Sequence, residues 1–269
     1  MNSYQNKTVW ITGASSGIGR ALAIEFSKLG ANLILSARNN EKLIETRSLC
    51  EDIKLVKLLP LDLGEFNLLK EKTIEALSLF EGLDVLINNG GISQRGLAVE
   101  TPLSVDKRIF DINYFGTVAL TKEVLPYFIK KKSGQIAVTS SVVGKFGSPV
   151  RTAYAASKHA LHGFYDSLRA EIHDYNIGVT IICPGPINTS ISENALTASG
   201  DKQNKKDPAI ADGIAPEVLA KKYIKALRKN KREAWIGKKE VFAIYVKRFF
   251  PGLFARIIRN VKVTWKKTH

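Results

Sequence analysis

Thr12-Gly13-Ala14-Ser15-Ser16-Gly17-Ile18-Gly19 joins a short apolar run, residues 7–12, to residues 17–29, where Ala21, Leu22, Ile24, Phe26 and Leu29 recur at helical spacing. The order is strand, glycine turn, helix. Glycines here let the chain turn tightly, let the backbone approach a pyrophosphate and let the helix pack closely on the sheet. The helix N-terminus then offers free N–H groups and the positive end of its dipole to an anion. Glycines alone often do no more than close a turn, so the weight comes from their place between a first strand and a first helix. Gly13, Ser15, Ser16, Gly17, Ile18 and Gly19 are the candidate phosphate-binding residues.

Outward from this turn, strand-like and helix-like patterns alternate. Residues 32–36, 53–59, 83–87, 135–140 and 178–182 read as further strands, and 234–236 as a short seventh. Helices are predicted over 40–50, 65–80, 113–131 and 152–174. Runs such as Leu33-Ile34-Leu35-Ser36 and Val85-Leu86-Ile87-Asn88 are apolar without alternation, as in strands buried on both faces. Right-handed crossovers then leave one α/β solution, a single doubly wound Rossmann-type parallel sheet of six to seven strands with helices on both faces. The domain is expected to span residues 1–239, with a basic tail over 240–269. Residues 197–213 are polar and interrupt the alternation just after a strand, where either a substrate-covering loop or a surface insertion belongs.

The 269 residues are 45% hydrophobic and 24% charged, enough for a sizeable core and too apolar for a disordered chain. The net charge of +15 is uneven: from residue 221 onward there are sixteen Lys and Arg against only Glu233 and Glu240. A neutral body with a basic tail suggests surface attachment, and no nucleic-acid partner is expected. Cys50 and Cys183 are too few for a disulfide framework or a zinc site, which points to a reducing compartment and no metal. His159 and His162 read as packing or interface residues. Residues 1–7 run straight into the first strand, so no signal peptide is expected. No apolar stretch reaches the ~20 residues that span a bilayer. The expected location is cytoplasmic, with peripheral contact to a membrane face.

The second strand ends in Ala37-Arg38, where an NAD-selective site usually carries a carboxylate. A guanidinium there can pair with a ribose 2′-phosphate, so NADP(H) is favoured, with NAD(H) the alternative. Asp62, after the third strand, can accept from an adenine amino group or cap a turn. Tyr154 and Lys158 share a helix face at i and i+4, and an adjacent ammonium would lower the phenol pKa toward neutrality. Ser141, at the end of the fifth strand, can polarise a substrate carbonyl. Asn113 adds an amide able to hold a relay water.

TGASSGIG (12–19), NNGG (88–91), Asn113, Ser141, Tyr154-x3-Lys158 and PGPINT (184–189), in this order over residues 7 to about 237, resemble the short-chain dehydrogenase/reductase family. NNGG-x-SQRG, SKHAL-x-GF and ICPGP are similar to its membrane-associated member-seven group and to steroid- and retinoid-reducing relatives. The resemblance implies Tyr154 as acid/base, Lys158 as its support and ribose ligand, Ser141 as carbonyl ligand and Asn113 in the proton relay. It also implies Asn88 beside the adenosine ribose, and Ile187 and Thr189 at the nicotinamide carboxamide. Two positions depart from the common pattern: Gly90 replaces an alanine, and Ser16 stands where many NADP-selective members carry a basic residue. The implied reaction is hydride transfer between NADP(H) and a lipophilic carbonyl or secondary alcohol. Alternatives are a 3-oxoacyl-thioester reductase, or a non-catalytic dinucleotide-binding protein recruited by its tail. The resemblance further implies a homo-dimer or homo-tetramer built on the two long helices, and a substrate pocket built from residues 190–215.

In the tail, Pro251 fits the first turn of a new helix. Leu253, Phe254, Ile257, Ile258, Val261 and Trp265 then follow at helical spacing, with Arg256, Arg259, Lys262 and Lys266 around them. Such a helix, over residues 241–267, suits an anionic membrane surface or docks on the body or a partner subunit.

Overall fold

The computed structural model describes residues 4–261. Its elements run β1 (Thr8–Thr12), α1 (Gly17–Ser27), β2 (Asn32–Ser36), α2 (Asn40–Ser48), β3 (Val56–Leu58), α3 (Leu69–Ser78), β4 (Val85–Asn88), β5 (Gln94–Arg95), α4 (Leu103–Phe110) and α5 (Thr117–Lys131). There follow β6 (Gly134–Thr139), α6 (Thr152–Glu171), β7 (Ile177–Pro184), β8 (Leu196–Thr197), α7 (Pro208–Ala211), α8 (Pro216–Arg228), β9 (Glu233–Ile236), α9 (Phe242–Phe249) and α10 (Pro251–Arg259).

The main sheet has seven parallel strands in the order β3-β2-β1-β4-β6-β7-β9, the doubly wound topology expected. Strand residues alternate between two apolar layers. Val9, Ile11, Leu33, Leu35, Val85 and Ile87 face one core, which also takes residues of α1 and α8. Trp10, Ile34, Leu86, Ile136 and Val138 face the other, with residues of α3, α5 and α6. Each such side chain, fully buried, contributes roughly 1.5–3 kcal/mol of transfer free energy, so both layers hold the sheet. The strand order reverses between β1 and β4, and in doubly wound sheets that point opens a crevice at the carboxyl ends of the strands.

Several boundaries differ from the sequence reading. Residues 53–55 form a 3-10 turn, because the Asp52 side chain accepts from Lys54 N at 2.8 Å, leaving β3 only three residues. The helix expected from residue 113 begins ten residues earlier, as α4, and passes through a π-helical turn, Asp111–Gly116, into α5. The polar stretch after β7 has structure of its own: β8 pairs in parallel with β5, and α7 follows.

Pro251 starts α10 as expected, but the apolar stripe of the tail divides between two surroundings. Phe254 is buried with Ile244 of α9 against Val142, Val143 and Phe146, the Phe146 and Phe254 rings lying 5.2 Å apart. Leu253, Ile257 and Val261 are exposed. Lys262, Trp265 and Lys266 lie outside the described residues.

Candidate active site

A cleft of about 1000 Å³ runs along the carboxyl edge of the sheet, from Arg38 at one end to Tyr154 and the loop after β7 at the other. Its floor is the glycine turn. Gly13 (φ +67°) and Gly17 (φ +52°) are left-handed, a conformation that costs other residues about 1 kcal/mol or more. A Cβ at Gly13 would lie 2.9 Å from Gly90 Cα, and one at Gly17 would lie 2.9 Å from Thr189 Cγ2. The turn is thus pressed between the ends of β4 and β7. Ser16 precedes α1 without capping it through its side chain, which leaves the first N–H groups of an eleven-residue helix facing the cleft. Ser15, Ile18, Ile187 and Thr189 also line this wall, whereas Gly19 packs beneath it against the Gly13 carbonyl. Orphan helix donors behind a wall of glycine and serine fit the pyrophosphate of a dinucleotide.

Arg38 lines the far end, beside Asp62. Arg108 of α4 reaches the same carboxylate, both guanidiniums lying 4.0 Å from Asp62 Oδ2. Lys42 lines the cleft there as well. Neither Arg108 nor Lys42 has a sequence signature, because chain distance hides their convergence.

Asn88 does not line the cleft. It shares the strand face of Leu86, and its side chain donates to Thr121 Oγ1 (2.9 Å) and Tyr165 OH (3.1 Å) under α5 and α6. Asn89, one residue on and on the opposite face, lines the cleft instead. Its amide bonds Thr12 O at 3.2 Å and accepts from Thr139 Oγ1 at 3.2 Å, tying β1 to β6.

At the chemical end, Ser141, Tyr154 and Lys158 line one wall, and the Ser141 hydroxyl donates to Pro184 O at 3.4 Å. Ser141 follows β6, and its hydroxyl accepts from Val143 N at 3.3 Å, which fixes it at the head of a short 3-10 turn. Tyr154 and Lys158 come from the first two turns of α6. Asn113 sits in the π-helical turn, fully buried. Its amide exchanges hydrogen bonds with the Ile92 backbone (2.8 and 2.9 Å) and donates to Ser157 Oγ at 3.1 Å. The extra residue of a π turn lets Asn113 reach α6 from within a long helix.

The expected lowering of the Tyr154 pKa by Lys158 is not what the geometry gives. Lys158 Nζ lies 5.8 Å from the ring centroid and donates to Thr139 O at 2.8 Å. Burial pushes the Tyr154 pKa up and that of Lys158 down to about 8. The largest opposing influence on Tyr154 is the Arg151 guanidinium, followed by the nearby Ser141 hydroxyl and Arg95.

Arg151 and Arg95 belong to an ionic cluster at the Tyr154 end of the cleft. Arg95 is buried and donates to Asp207 Oδ2 from Nε (2.8 Å) and from a terminal nitrogen (2.6 Å). Arg151 donates to the same oxygen at 3.1 Å. Asp207 comes from the polar stretch that carried no motif. Beside it Gln94 Oε1 accepts from Ala153 N (2.9 Å) and Tyr154 N (3.4 Å), capping α6 from β5.

The sequence shows no His/Cys cluster, yet folding makes one. His162, Cys183 and Glu233 bring their ligand atoms within 4.8 Å of one another behind Ser140. Hydrogen bonds account for it: Ser140 Oγ lies 3.1 Å from His162 Nε2, Cys183 Sγ donates to Glu233 at 3.3 Å, and Lys145 pairs with Glu233 at 2.8 Å. Burial pushes the His162 pKa down to about 4 and the Cys183 thiol well up, so both are neutral. His159 bonds the Ala155 carbonyl within α6.

Known proteins resemble this chain in sequence and in fold. The family model for short chain dehydrogenase matches residues 7–199. A Drosophila melanogaster dehydrogenase/reductase SDR family protein 7-like is 41% identical over 270 residues, covering 97% of this chain and 83% of its own. The Bos taurus dehydrogenase/reductase SDR family member 7B is 42% identical over 269 residues, with the same two coverages of 97% and 83%. Among solved structures, a short-chain dehydrogenase/reductase from Burkholderia phymatum in complex with NAD superposes with a TM-score of 0.82 at 20% identity, over 100% of both chains. Levodione reductase gives 0.79 at 22% identity, over 88% of this chain and 98% of its own. At such identities the solved structures speak for the fold.

Proposed function

The chain belongs to the short-chain dehydrogenase/reductase family and is an oxidoreductase, and from that premise we propose that it uses NADP(H) to interconvert a lipophilic carbonyl compound and its secondary alcohol. The observation that carries this reading is the meeting of Ser141, Tyr154 and Lys158 on one wall of a cleft whose floor is an uncapped helix N-terminus. A bound nicotinamide dinucleotide supplies or accepts the hydride. Gly13, Ser15, Ser16, Gly17 and Ile18 would hold its pyrophosphate, and Ile187 and Thr189 its carboxamide end. Arg38, with Lys42 and Arg108 nearby, favours a 2′-phosphate.

Ser141 holds the substrate oxygen, and Tyr154 gives that oxygen a proton on reduction or removes it on oxidation. Burial keeps the phenol protonated at neutral pH, the state that reduction requires. Lys158, anchored on Thr139 O, and Asn113, locked to Ile92, steady the proton path behind it. Val142, Val143, Ile191 and Ile210 give the substrate end apolar walls, which supports a lipophilic substrate. In an NADPH-dependent assay over a panel of lipophilic ketones, Tyr154→Phe should lower kcat by about 10²–10⁴-fold. Cofactor affinity, read by NADPH fluorescence, should change far less. Wild-type turnover by the variant would overturn the reading.

The tail supports peripheral attachment to an anionic bilayer at the cytoplasmic face. With Ile244 and Phe254 docked on the body, α9, α10 and the residue between them still expose Phe242, Tyr245, Phe249, Phe250, Leu253 and Ile257. Lys247, Arg248, Arg256 and Arg259 stand among them, with no acidic residue from 241 to 261. Among the described residues no helix is long and apolar enough to cross a membrane. Co-sedimentation with phosphatidylserine vesicles should be strong for the full chain and lost on Phe249→Glu/Phe250→Glu. Equal sedimentation of the two proteins would sink this part of the reading.

A further inference from the structure

The charges lining the cleft are of nearly one sign. Arg38, Lys42 and Arg108 stand at the adenosine end, Lys158 stands beside Tyr154, and Arg95, Arg151 and Lys202 line the substrate end. Among the described residues the one carboxylate in the lining is Asp62, at the adenosine end between two guanidiniums. A cofactor's phosphates answer the first group. Nothing in a neutral ketone answers the last.

The substrate-end cluster is unevenly satisfied. Arg95 spends its donors on Asp207 Oδ2, Ser93 Oγ and the Gln94 carbonyl, all within 2.8 Å. Asp207 Oδ1 meanwhile accepts from Gln203 Nε2 at 3.3 Å. Arg151, at the head of α6, makes a single side-chain hydrogen bond among the described residues, the 3.1 Å contact to Asp207. Its Nε is enclosed by protein with no hydrogen-bond partner, and its second terminal nitrogen donates to none of the described residues while the side chain lines the cleft. Two guanidiniums and one carboxylate leave a positive charge next to Tyr154 in a site shielded from water, where unpaired charge and unmade hydrogen bonds are costly. A guanidinium with free donors in such a place is matched by a planar or tetrahedral oxyanion.

We propose that the substrate is an amphiphile, a carbonyl or alcohol compound with an apolar chain and a carboxylate or phosphate group, and that Arg151 binds this anionic group while Arg95 and Asp207 hold Arg151 in place. The proposal rests on the oxidoreductase reading above and narrows its substrate class. Val142, Val143 and Ile210 receive the chain; Arg151, with Lys202 at the rim, receives the charge.

The test reads binding, so it does not depend on finding the right carbonyl. Enzyme saturated with NADP⁺, which occupies the cofactor phosphate positions, is titrated calorimetrically with decanol, decanoate and decyl phosphate. One or both anions should bind about tenfold tighter than decanol or more, the size of one hydrogen bond to a charged group. The tighter of the two identifies the headgroup as carboxylate or phosphate. In Arg151→Gln the anion-to-decanol ratio should collapse toward one, and Arg151→Lys should recover part of it. Equal binding of all three ligands by the wild type would overturn the proposal. So would an anion preference that survives in Arg151→Gln, which would place the anion on the basic tail. Failure of the oxidoreductase reading shows elsewhere, in unimpaired turnover by Tyr154→Phe.

Discussion

At each end of the cleft two guanidiniums share one aspartate, and the two clusters are built for different work. Beyond β2, Arg38 and Arg108 stand 4.0 Å from Asp62, with side chains 60% and 47% exposed. At the Tyr154 end, Arg95 and Arg151 close on Asp207 to 2.6 and 3.1 Å, with side chains 2% and 18% exposed. Exposed pairs at the longer distance are worth about 0–1 kcal/mol and swing readily toward a ligand. A buried carboxylate between two cations is held by its partners, and removing it leaves charge stranded. The same set of residues is therefore adaptable at one end and a fixed part of the fold at the other.

The largest effect should come from breaking the buried cluster. Asp207→Asn leaves Arg95 and Arg151 facing each other, and urea denaturation should show a loss of about 3 kcal/mol or more. A loss below 1 kcal/mol would mean that the two clusters do not differ. Next, Arg38→Ala should weaken NADPH by about tenfold or more, the loss of a hydrogen bond to a charged group, while barely moving NADH. Equal weakening of both would remove Arg38 from the 2′-phosphate. The smallest effect belongs to Asp62→Asn, the counterpart of the first variant, whose two arginine partners are exposed and which should shift stability by less than about 1 kcal/mol.

How legible each part was depended on chain distance. The glycine turn and the apolar strands are local patterns, and Tyr154 with Lys158 is a local spacing, so these could be read in advance. Asn88 and Asn89 could not be told apart, because the choice rests on which strand face Leu86 takes. The charge that acts most on Tyr154 comes from Arg151, three residues before it. Its orientation depends on Asp207, 56 residues on in a stretch without periodicity. The tail shows the limit of a hydrophobic stripe: Phe254 and Leu253 adjoin in sequence, yet one is buried and the other exposed, because Phe146 covers only one side of α10. His162, Cys183 and Glu233 come from three separate elements and meet only in the folded chain.

Gln94 occupies two structures at once. Its backbone belongs to the two-residue strand that pairs with Leu196 of β8, and its side chain caps the helix turn that carries Tyr154. The residue that caps the Tyr154 turn is therefore also the one that ties it to the stretch after β7. One glutamine thus works as a clasp, fastening at a single residue the segment that lines the far end of the cleft and the helix that presents the phenol.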